Sequence, residues 1–230
     1  MTATEGIDVV ITWVDGFEPS YLAKRAQFGA EVGHAPAGAD AQARYADAGE
    51  LVYCLRSIYA YMRWARRIFL VTDNQTPPYL DAAMLAKHDV FVVNHDSIFK
   101  EYASLLPVFS STAIESMIWR IDGLSEYFVL FNDDCFLGKK VIPADFYRDD
   151  KLQLRGRWMP DEGSEGLPGW KVRQLRASRL AGVPQGRFYL SDHAPFALRR
   201  SMMEETWDRF REDLMGNITR RFRDRDMVNL

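Results

Sequence analysis

Four short apolar runs, each ending on polar residues, constrain the fold of this chain more than any other feature. They lie in the segments IDVVITWVDG, RRIFLVTDN, DVFVVNH and EYFVLFNDD. Continuous apolar runs of this length are typical of strands that are covered on both faces. Stretches with apolar residues at helical spacing alternate with them, as in Leu51, Leu55, Ile58 and Met62.

This alternation predicts an α/β fold, Rossmann-like, with a mostly parallel sheet flanked by helices. Parallel strands end at the same edge of a sheet, and ligands of such folds bind beyond the carboxyl ends. The residues that would gather there are Asp15, Asp73, Asn74, Asn94, His95, Asn132, Asp133 and Asp134. We therefore expect a binding site at this edge.

The length of 230 residues suits a single domain. We expect it to contain a variable loop at residues 29–49, rich in Ala and Gly, and an irregular segment at residues 149–191. The letters RFYL predict one short strand within the irregular segment. Continuous helices are predicted for SSTAIESMIWRI and for RRSMMEETWDRFRE, the latter burying Met203, Trp207, Phe210 and Leu214.

A net charge of −3 gives no sign of the excess of basic residues that is typical of nucleic-acid-binding proteins. Two cysteines, Cys54 and Cys135, are too few for a disulfide scaffold, so we expect reduced thiols in a cytoplasmic protein. The first residues lack the pattern of a signal peptide, and no run reaches the ~20 apolar residues of a membrane span. Peripheral association with the inner face of the membrane stays open.

The pair Asp133 and Asp134 follows the fourth apolar run directly. Adjacent carboxylates at the end of a strand can hold Mg²⁺ or Mn²⁺, because these hard cations prefer oxygen ligands. The alternative is a turn that happens to be acidic. Cys135, the next residue, is either a metal ligand or a core side chain, and thiolates suit softer metals.

Four other features admit two interpretations each. Asp15 either serves a ligand or caps the turn that follows it, and Trp13 either stacks on a base or belongs to the core. His193, in SDHAPF, is either catalytic or an ordinary loop residue. A late cluster of arginines, which can bind phosphate or form a solvated basic face, comprises Arg220, Arg221, Arg223 and Arg225. The sequence has no Walker, GxGxxG, GxSxG or zinc-ligand spacing.

Taken in order, several segments resemble the Stealth family of sugar-1-phosphate transferases. They are IDVVITWVDG, ELVYCLRSIYAYMRWARRIFLVTDNQTPPYL, LPVFSSTAIESMIWRIDGLSEYFVLFNDDCFLG, and HAPFALRRSMMEETWDRF with RRFRDRD. That family includes bacterial capsular polysaccharide phosphotransferases and the N-acetylglucosamine-1-phosphotransferase that tags lysosomal enzymes. The resemblance implies one catalytic domain over residues 1–230, with a fold like that of the A-type nucleotide-sugar glycosyltransferases.

The reaction implied by the resemblance transfers a sugar-1-phosphate from a nucleotide sugar, a UDP-sugar first of all, to a hydroxyl of a glycan acceptor. It forms a phosphodiester and releases a nucleoside monophosphate, in capsular or surface polysaccharide synthesis. A divalent metal, Mg²⁺ or Mn²⁺, would be held by Asp133 and Asp134. The catalytic positions implied are Asp15, Asp133, Asp134, His193 and Arg223. The substrate-binding positions expected are Trp13, Gly16, Arg56, Asn74, Asn132, Arg200 and Arg221.

Individual roles follow from side-chain chemistry within that reaction. His193 is the first choice for general base, because the ordinary pKa of histidine lies near working pH. Arg223 would neutralise the phosphate oxygens, with Arg221 as its helper or its replacement. Trp158 and Trp170, in the irregular segment, are expected to belong to the acceptor pocket.

The family usually carries a further short block with its own Asn-Asp pair, and this sequence stops before one appears. We expect either a truncated chain or a short relative. Two alternatives to sugar-phosphate transfer stay open. One is a metal-dependent glycosyltransferase that releases a nucleoside diphosphate. The other is a non-catalytic module that binds a sugar nucleotide or a glycan.

Overall fold

The computed structural model describes residues 6–31 and 47–229. Its strands are β1 (Ile7–Thr12), β2 (Ala65–Thr72), β3 (Val90–Asn94), β4 (Tyr127–Asn132), β5 (Tyr147–Arg148), β6 (Lys151–Leu152), β7 (Gly156–Pro160), β8 (Arg187–Ser191) and β9 (Phe196–Arg199). Its α-helices are α1 (Pro19–Glu31), α2 (Glu50–Tyr61), α3 (Ala82–Lys87), α4 (His95–Phe99), α5 (Ser111–Glu115), α6 (Gly169–Leu180), α7 (Arg200–Arg209) and α8 (Arg211–Ile218). Short 3₁₀ turns lie at Lys100–Leu105, Ile118–Arg120 and Pro143–Asp145.

The central sheet has the strand order β3-β2-β1-β4-β9. β1 lies between β2 and β4 and pairs with both in parallel, and β2 pairs with β3 in parallel. β9 is antiparallel to β4 at one edge. The predicted α/β fold with a mostly parallel sheet is confirmed, and each of the four apolar runs forms one of the parallel strands. Two small antiparallel pairs, β5–β6 and β7–β8, lie outside this sheet.

Both faces of the sheet are buried, because successive side chains of β1 point into two different cores. Val9 and Ile11 pack in a cluster with Leu51 of α2, whose predicted apolar face is confirmed. Val10 packs on the other side, in a cluster with Trp207 of α7. Each fully buried large apolar side chain contributes about 1.5–3 kcal/mol. The interiors of the strands, and not their polar ends, therefore stabilise the fold.

The helix predicted for SSTAIESMIWRI is interrupted after its first turn. α5 ends at Glu115, and the following residues form a 3₁₀ turn from Ile118 to Arg120. Ser116 Oγ donates a hydrogen bond to the carbonyl oxygen of Thr112 at 2.8 Å. Such side-chain bonds to a carbonyl four residues back bend helices, so the hydroxyl side chains of this segment shorten a helix that its apolar spacing favours.

The helix predicted for RRSMMEETWDRFRE is also divided. Phe210 has φ −119° and ψ 36°, outside the α-helical region, and it separates α7 from α8. Met203, Trp207 and Leu214 are buried as predicted, whereas Phe210 is only partly buried against the same core. The division lets two short helices follow the curved surface of one core.

The segment at residues 149–191, expected to be irregular, contains α6 and the β7–β8 hairpin, and RFYL lies in β8 as predicted. α6 was not predicted because its apolar pattern is weak. Val172 and Leu175 are its only buried apolar residues, and it buries Arg173 as well. Of the predicted loop at 29–49, residues 29–31 belong to α1 and residues 32–46 lie outside the described part. No helix in residues 6–31 and 47–229 has the length and apolar character to cross a membrane.

Candidate functional site

A cavity of about 340 Å³ opens at the carboxyl ends of the parallel strands. This volume lies within the range of sites for small organic ligands. Seven residues that the sequence singled out line it: Trp13, His95, Asn132, Asp133, Asp134, His193 and Arg223. The other lining residues are Thr12, Val14, Tyr21, Glu50, Val71, Val108, Phe109, Ser110, Ser111 and Ile114. We call this cavity the strand-end pocket; the catalytic roles of its residues stay predictions.

His193 reaches the strand-end pocket because β9 runs antiparallel to β4. Phe196, the first residue of β9, pairs with Leu130 near the end of β4. The loop that precedes β9 is therefore held beside Asn132, at the edge where β4 ends. Because β9 is antiparallel, its first residue, and not its last, lies beside the carboxyl end of β4. His193, from late in the sequence, is thereby placed at the strand ends.

His193 and Asp134 form an ion pair in this pocket. Nε2 of His193 lies 3.0 Å and 3.1 Å from the two carboxylate oxygens, and Nδ1 lies 3.4 Å from Nδ2 of Asn132. Hydrogen bonds to Asp134 and then to Cys135 raise the pKa of His193 to about 10, and the histidine lowers the pKa of Asp134. His193 is therefore protonated at neutral pH. A general base must be neutral, so the raised pKa opposes the base role expected from an ordinary pKa, and the role of His193 stays a prediction.

We expect an NMR titration of the imidazole to give a pKa of about 10 for His193. Because the pKa is raised, the positive charge is present below that value and is lost as the pH rises through it. Asp134→Asn should lower the pKa substantially, since a neutral amide removes the attracting charge. Asp192→Asn is the matched control, because that neighbouring carboxylate faces Arg157 at 3.4 Å. A His193 pKa that Asp134→Asn leaves unchanged would contradict the ion pair.

Asp133 lies among other negative charges. Burial and the adjacent Asp134 raise its pKa to about 7, Asp47 and Glu50 add to that effect, and a backbone hydrogen bond opposes it. Glu50, the first residue of α2, also lines the pocket and was not singled out in the sequence. A carboxylate in such surroundings is stabilised by a nearby cation, and oxygen donors are the ligands that Mg²⁺ and Mn²⁺ prefer.

Asp134, Cys135 and His193 are the one group of three potential metal ligands that lie close together in the part of the chain described. Their ligating atoms all lie within 4.8 Å of one another. Cys135 is 7% exposed and packs in the core beside β1 and β4. Its sulfur nevertheless lies close to the side chains of Asp134 and His193, so Cys135 can be both a core side chain and a metal ligand.

Arg223 is the arginine of the C-terminal cluster that lines the pocket. Its Nη2 donates to Ser111 Oγ, at the start of α5, at 2.6 Å. Arg221 lies elsewhere: its Nη1 donates to the carbonyl oxygens of Leu105 and Pro107 at 2.9 Å and 2.8 Å. The structure thus separates the two arginines, with Arg223 facing the pocket and Arg221 holding the loop before α5.

Glu115, which the sequence analysis did not single out, lies close to this arginine. Burial raises the pKa of its carboxyl group, while Arg223 and the hydroxyl of Ser111 act in the opposite direction, followed by Arg173 and His193. Its position four residues after Ser111 puts both on one face of α5. That spacing is the sequence signal that could have linked Glu115 to the site.

Asp15 lies at the end of β1 but not in the lining of the pocket. Its Oδ1 accepts from the N–H of Phe17 at 2.9 Å, the turn-capping contact that was the alternative interpretation. Gln75 fixes the backbone of Asp15 from the other side, accepting from its N–H at 3.0 Å and donating to its carbonyl oxygen at 2.9 Å. Gly16 is buried in the same turn and also lies outside the lining.

Three further residues expected to bind substrate also lie outside the strand-end pocket. Arg200 stands at the opposite edge of the sheet, because Arg199 pairs with Tyr127, the first residue of β4. Arg56 is exposed on α2. Asn74 is exposed after β2 in the left-handed region, with φ 56°. The structure therefore does not bring these side chains to the site.

Two buried polar atoms in the pocket lack hydrogen-bond partners among the described residues: Nε1 of Trp13 and Nδ1 of His95. Trp13 is 3% exposed and His95 4% exposed, and both line the pocket. Nδ1 of His95 lies 3.9 Å from Asp73, which Lys24 pairs at 2.6 Å. Burial lowers the pKa of His95 to about 4, so its ring is neutral. Because buried polar groups are normally hydrogen-bonded, these two atoms are suited to contact a ligand.

Two parts of the sequence match regions defined for one protein family. They are Stealth protein CR1, conserved region 1, over residues 5–33, and Stealth protein CR2, conserved region 2, over residues 44–155. The first range includes Trp13 and the second includes His95, Asn132, Asp133 and Asp134. The other pocket residues of the sequence analysis, His193 and Arg223, follow these ranges.

Curated relatives are similar over nearly the whole chain. An exopolysaccharide phosphotransferase of Streptomyces coelicolor is 40% identical over 94% of this chain and 36% of its own length. A capsular polysaccharide phosphotransferase of Actinobacillus pleuropneumoniae is 32% identical over 97% of this chain and 62% of its own length. A receptor polysaccharide phosphotransferase of Streptococcus oralis is 30% identical over 97% of this chain and 75% of its own length. The chain thus spans about a third to three quarters of these relatives.

Proposed function

This chain belongs to the Stealth family, and from that premise we propose that it transfers a sugar-1-phosphate from a nucleotide sugar to a hydroxyl of a polysaccharide. The acceptor hydroxyl oxygen forms a bond to the sugar-bearing phosphorus and gives up its proton to solvent, while the bond between that phosphorus and the nucleoside monophosphate breaks. The products are a phosphodiester and a nucleoside monophosphate. Support comes from relatives named as phosphotransferases of exopolysaccharide, capsular and receptor polysaccharides. Two free, buried cysteines agree with a cytoplasmic location, which is part of the proposal.

The observation that carries the proposal is the meeting of two cations with an acidic strand end in the strand-end pocket. Arg223 and the protonated His193 line it together with Asp133 and Asp134. Phosphoryl transfer proceeds through a loose transition state whose charge lies on phosphate oxygens, so positioning and charge stabilisation supply most of the catalysis. The planar guanidinium of Arg223 suits two phosphate oxygens at once.

Asp133 is the residue that would hold Mg²⁺ or Mn²⁺ in this proposal. The test of fit is electrostatic. Burial and then the charges of Asp134, Asp47 and Glu50 disfavour the ionised form of Asp133, and a cation would offset that cost. When bound, the metal supplies positive charge to the diphosphate of the donor. Asp134 is held by His193 at 3.0 Å, so this carboxylate orients the imidazolium toward the phosphate and leaves the metal to Asp133.

The donor nucleotide is proposed to lie against Trp13 and His95. The Nε1–H of Trp13 and Nδ1 of the neutral His95 are two buried polar atoms that have no hydrogen-bond partner among the described residues, and both residues line the pocket. Uracil offers carbonyl oxygens to the tryptophan N–H and an N–H group to a neutral histidine nitrogen. A UDP-sugar is therefore the donor we propose.

The acceptor glycan is proposed to approach over the hairpin and helix of residues 149–191. Trp158 and Trp170, 51% and 47% exposed, present aromatic faces there. Arg187 lies over the ring of Trp158 at 4.3 Å, and Lys171 lies over that of Trp170 at 5.3 Å. Tryptophan is enriched at binding interfaces, and the nearby positive charges suit an acidic polysaccharide.

The proposal is tested by identifying the leaving nucleotide. The full chain is incubated with Mg²⁺, a polysaccharide acceptor and a panel of nucleotide sugars, and the released nucleotide is weighed by mass spectrometry. We expect uridine monophosphate, released in proportion to phosphodiester formed. Release of uridine diphosphate would instead establish a glycosyltransferase. Donor binding with no turnover for any acceptor would establish a binding module.

A further inference from the structure

Asp134, Cys135 and His193 form a group that the proposed reaction uses only in part. Their ligating atoms all lie within 4.8 Å of one another. Nε2 of His193 lies 3.0 Å and 3.1 Å from the oxygens of Asp134. The reaction proposed above assigns a role to the carboxylate and to the imidazole, but none to the thiol.

The donor set of this group suits a softer metal than Mg²⁺. A carboxylate oxygen, an imidazole nitrogen and a thiolate sulfur are the three ligand types of Zn²⁺. Bonds of about 2.0–2.3 Å place the ligands of a tetrahedral zinc roughly 3.3–3.8 Å apart. The observed limit of 4.8 Å within the group is close to that spacing, so small side-chain rotations suffice.

One side of this group is buried in the core, and the other side faces the strand-end pocket. Cys135 is 7% exposed and belongs to the core, whereas Asp134 and His193 line the strand-end pocket. A metal held by these three side chains would keep its fourth position toward the pocket. Three protein ligands and one free position are typical of zinc sites that bind water or substrate, and closed four-ligand sites are typical of structural zinc.

Asn132 contacts two of the three proposed ligands, Cys135 and His193. Its carbonyl oxygen accepts from the N–H of Cys135 at 3.0 Å, and its side-chain amide lies 3.4 Å from Nδ1 of His193. A histidine that binds metal through Nε2 needs an acceptor for its Nδ1–H. Turning over the amide of Asn132 presents its oxygen at that place.

We propose that Asp134, Cys135 and His193 bind one Zn²⁺ and that zinc bound there inhibits sugar-phosphate transfer, the second half resting on the proposed function. Binding replaces the proton shared by His193 and Asp134 and the proton of the Cys135 thiol, so two protons leave for each ion. Asp134 and His193 both line the strand-end pocket, so a zinc ion held there occupies the two side chains and the space that the substrate phosphate would use. Mg²⁺ at Asp133 makes no use of the thiol and does not have this effect.

The binding half is tested on the full chain without substrate, with Co²⁺ as the probe. We expect one Co²⁺ per chain, a thiolate-to-cobalt charge-transfer band in the near ultraviolet, and loss of the band when Zn²⁺ is added. Cys135→Ser should abolish the band and weaken Zn²⁺ binding at least about tenfold, the scale of lost supporting ligands. Cys54→Ala, which removes the other buried thiol, should retain both.

Circular dichroism of each variant shows whether it is folded. If Cys135→Ser does not fold, Asp134→Asn and His193→Gln replace it, because both side chains are more than half exposed and each should weaken Zn²⁺ binding. A wild-type chain without a thiolate–cobalt band overturns the site. So does a band that survives Cys135→Ser and disappears in Cys54→Ala.

The inhibitory half is tested by measuring transfer in Mg²⁺ at increasing free Zn²⁺. Cys135→Ser should need at least about tenfold more Zn²⁺ than wild type for the same inhibition, matching its loss of affinity. Equal inhibition of both proteins overturns this half. A clear cobalt band in a chain that transfers no sugar phosphate would leave the metal site established and would count against the proposed function instead.

Discussion

Asp133→Asn should reduce sugar-phosphate transfer by roughly 10³-fold or more, the scale of removing one charged group from a catalytic unit. The reason is the loss of the carboxylate that would hold the metal at the diphosphate. Thermal stability should stay the same or rise slightly at neutral pH. Burial and like charges raise the pKa of Asp133 to about 7, so its ionised form is disfavoured in the folded chain. Turnover assays and calorimetric melting measure the two effects separately.

Asp122→Asn is the matched control for this variant. Asp122 precedes β4 as Asp133 follows it, and its carboxylate pairs with Lys100 at 2.8 Å, at the other end of the strand from the pocket. Activity should be unaffected by that change. If Asp133→Asn instead unfolds much of the protein while the folded fraction transfers normally, the acidic turn is structural and the proposed metal site is wrong.

Arg223→Ala should weaken donor binding and lower kcat/KM by about 10²–10³, as expected for losing one preorganised donor to the phosphate. Arg223→Lys should recover only part of the loss, because lysine keeps the charge but lacks the planar fork. Titration calorimetry with a UDP-sugar measures donor binding, and steady-state kinetics measure kcat/KM. Full donor affinity in Arg223→Ala would remove this residue from the phosphate site.

Two neighbouring arginines provide controls for Arg223. Arg225 donates to the carbonyl oxygen of Ser164 and does not line the pocket, so Arg225→Ala should change neither affinity nor turnover. Arg221 donates to two carbonyl oxygens, and such bonds from a charged group contribute about 1.5–3 kcal/mol. Arg221→Ala should therefore lower the melting temperature as well as activity, whereas Arg223→Ala should lower activity alone.

The parallel strands and their polar ends could be predicted because buried parallel strands carry uninterrupted apolar runs. Thr12 pairs with Val71 on one side and with Asn132 on the other, so β1, β2 and β4 end at the same level. Once the strands are identified, parallel pairing alone brings Trp13 and Asp133 to one edge. This part of the site follows from local sequence and one rule of sheet geometry.

The remainder of the site depends on contacts between distant parts of the chain. β9 has only four residues, and nothing in its sequence shows that it runs antiparallel to β4. Its direction nevertheless determines that His193, and not Arg200, reaches the pocket. The ion pair that raises the pKa of His193 joins residues 59 positions apart. Arg221 and Arg223 are similar in sequence context and differ only in what each side chain meets.

The pairing of β4 with β9 also bears on how such a protein can diversify. The chain leaves the sheet after Asn132 and returns at Phe196, which pairs with Leu130, so both ends of the intervening segment are anchored side by side. The acidic pair and His193 sit next to these anchors, and residues 149–191 lie between them. Insertions or exchanges in that middle stretch leave the anchored ends in register. If the proposed function holds, recognition of new polysaccharides can therefore evolve by replacing one surface segment while the proposed phosphate site is inherited unchanged.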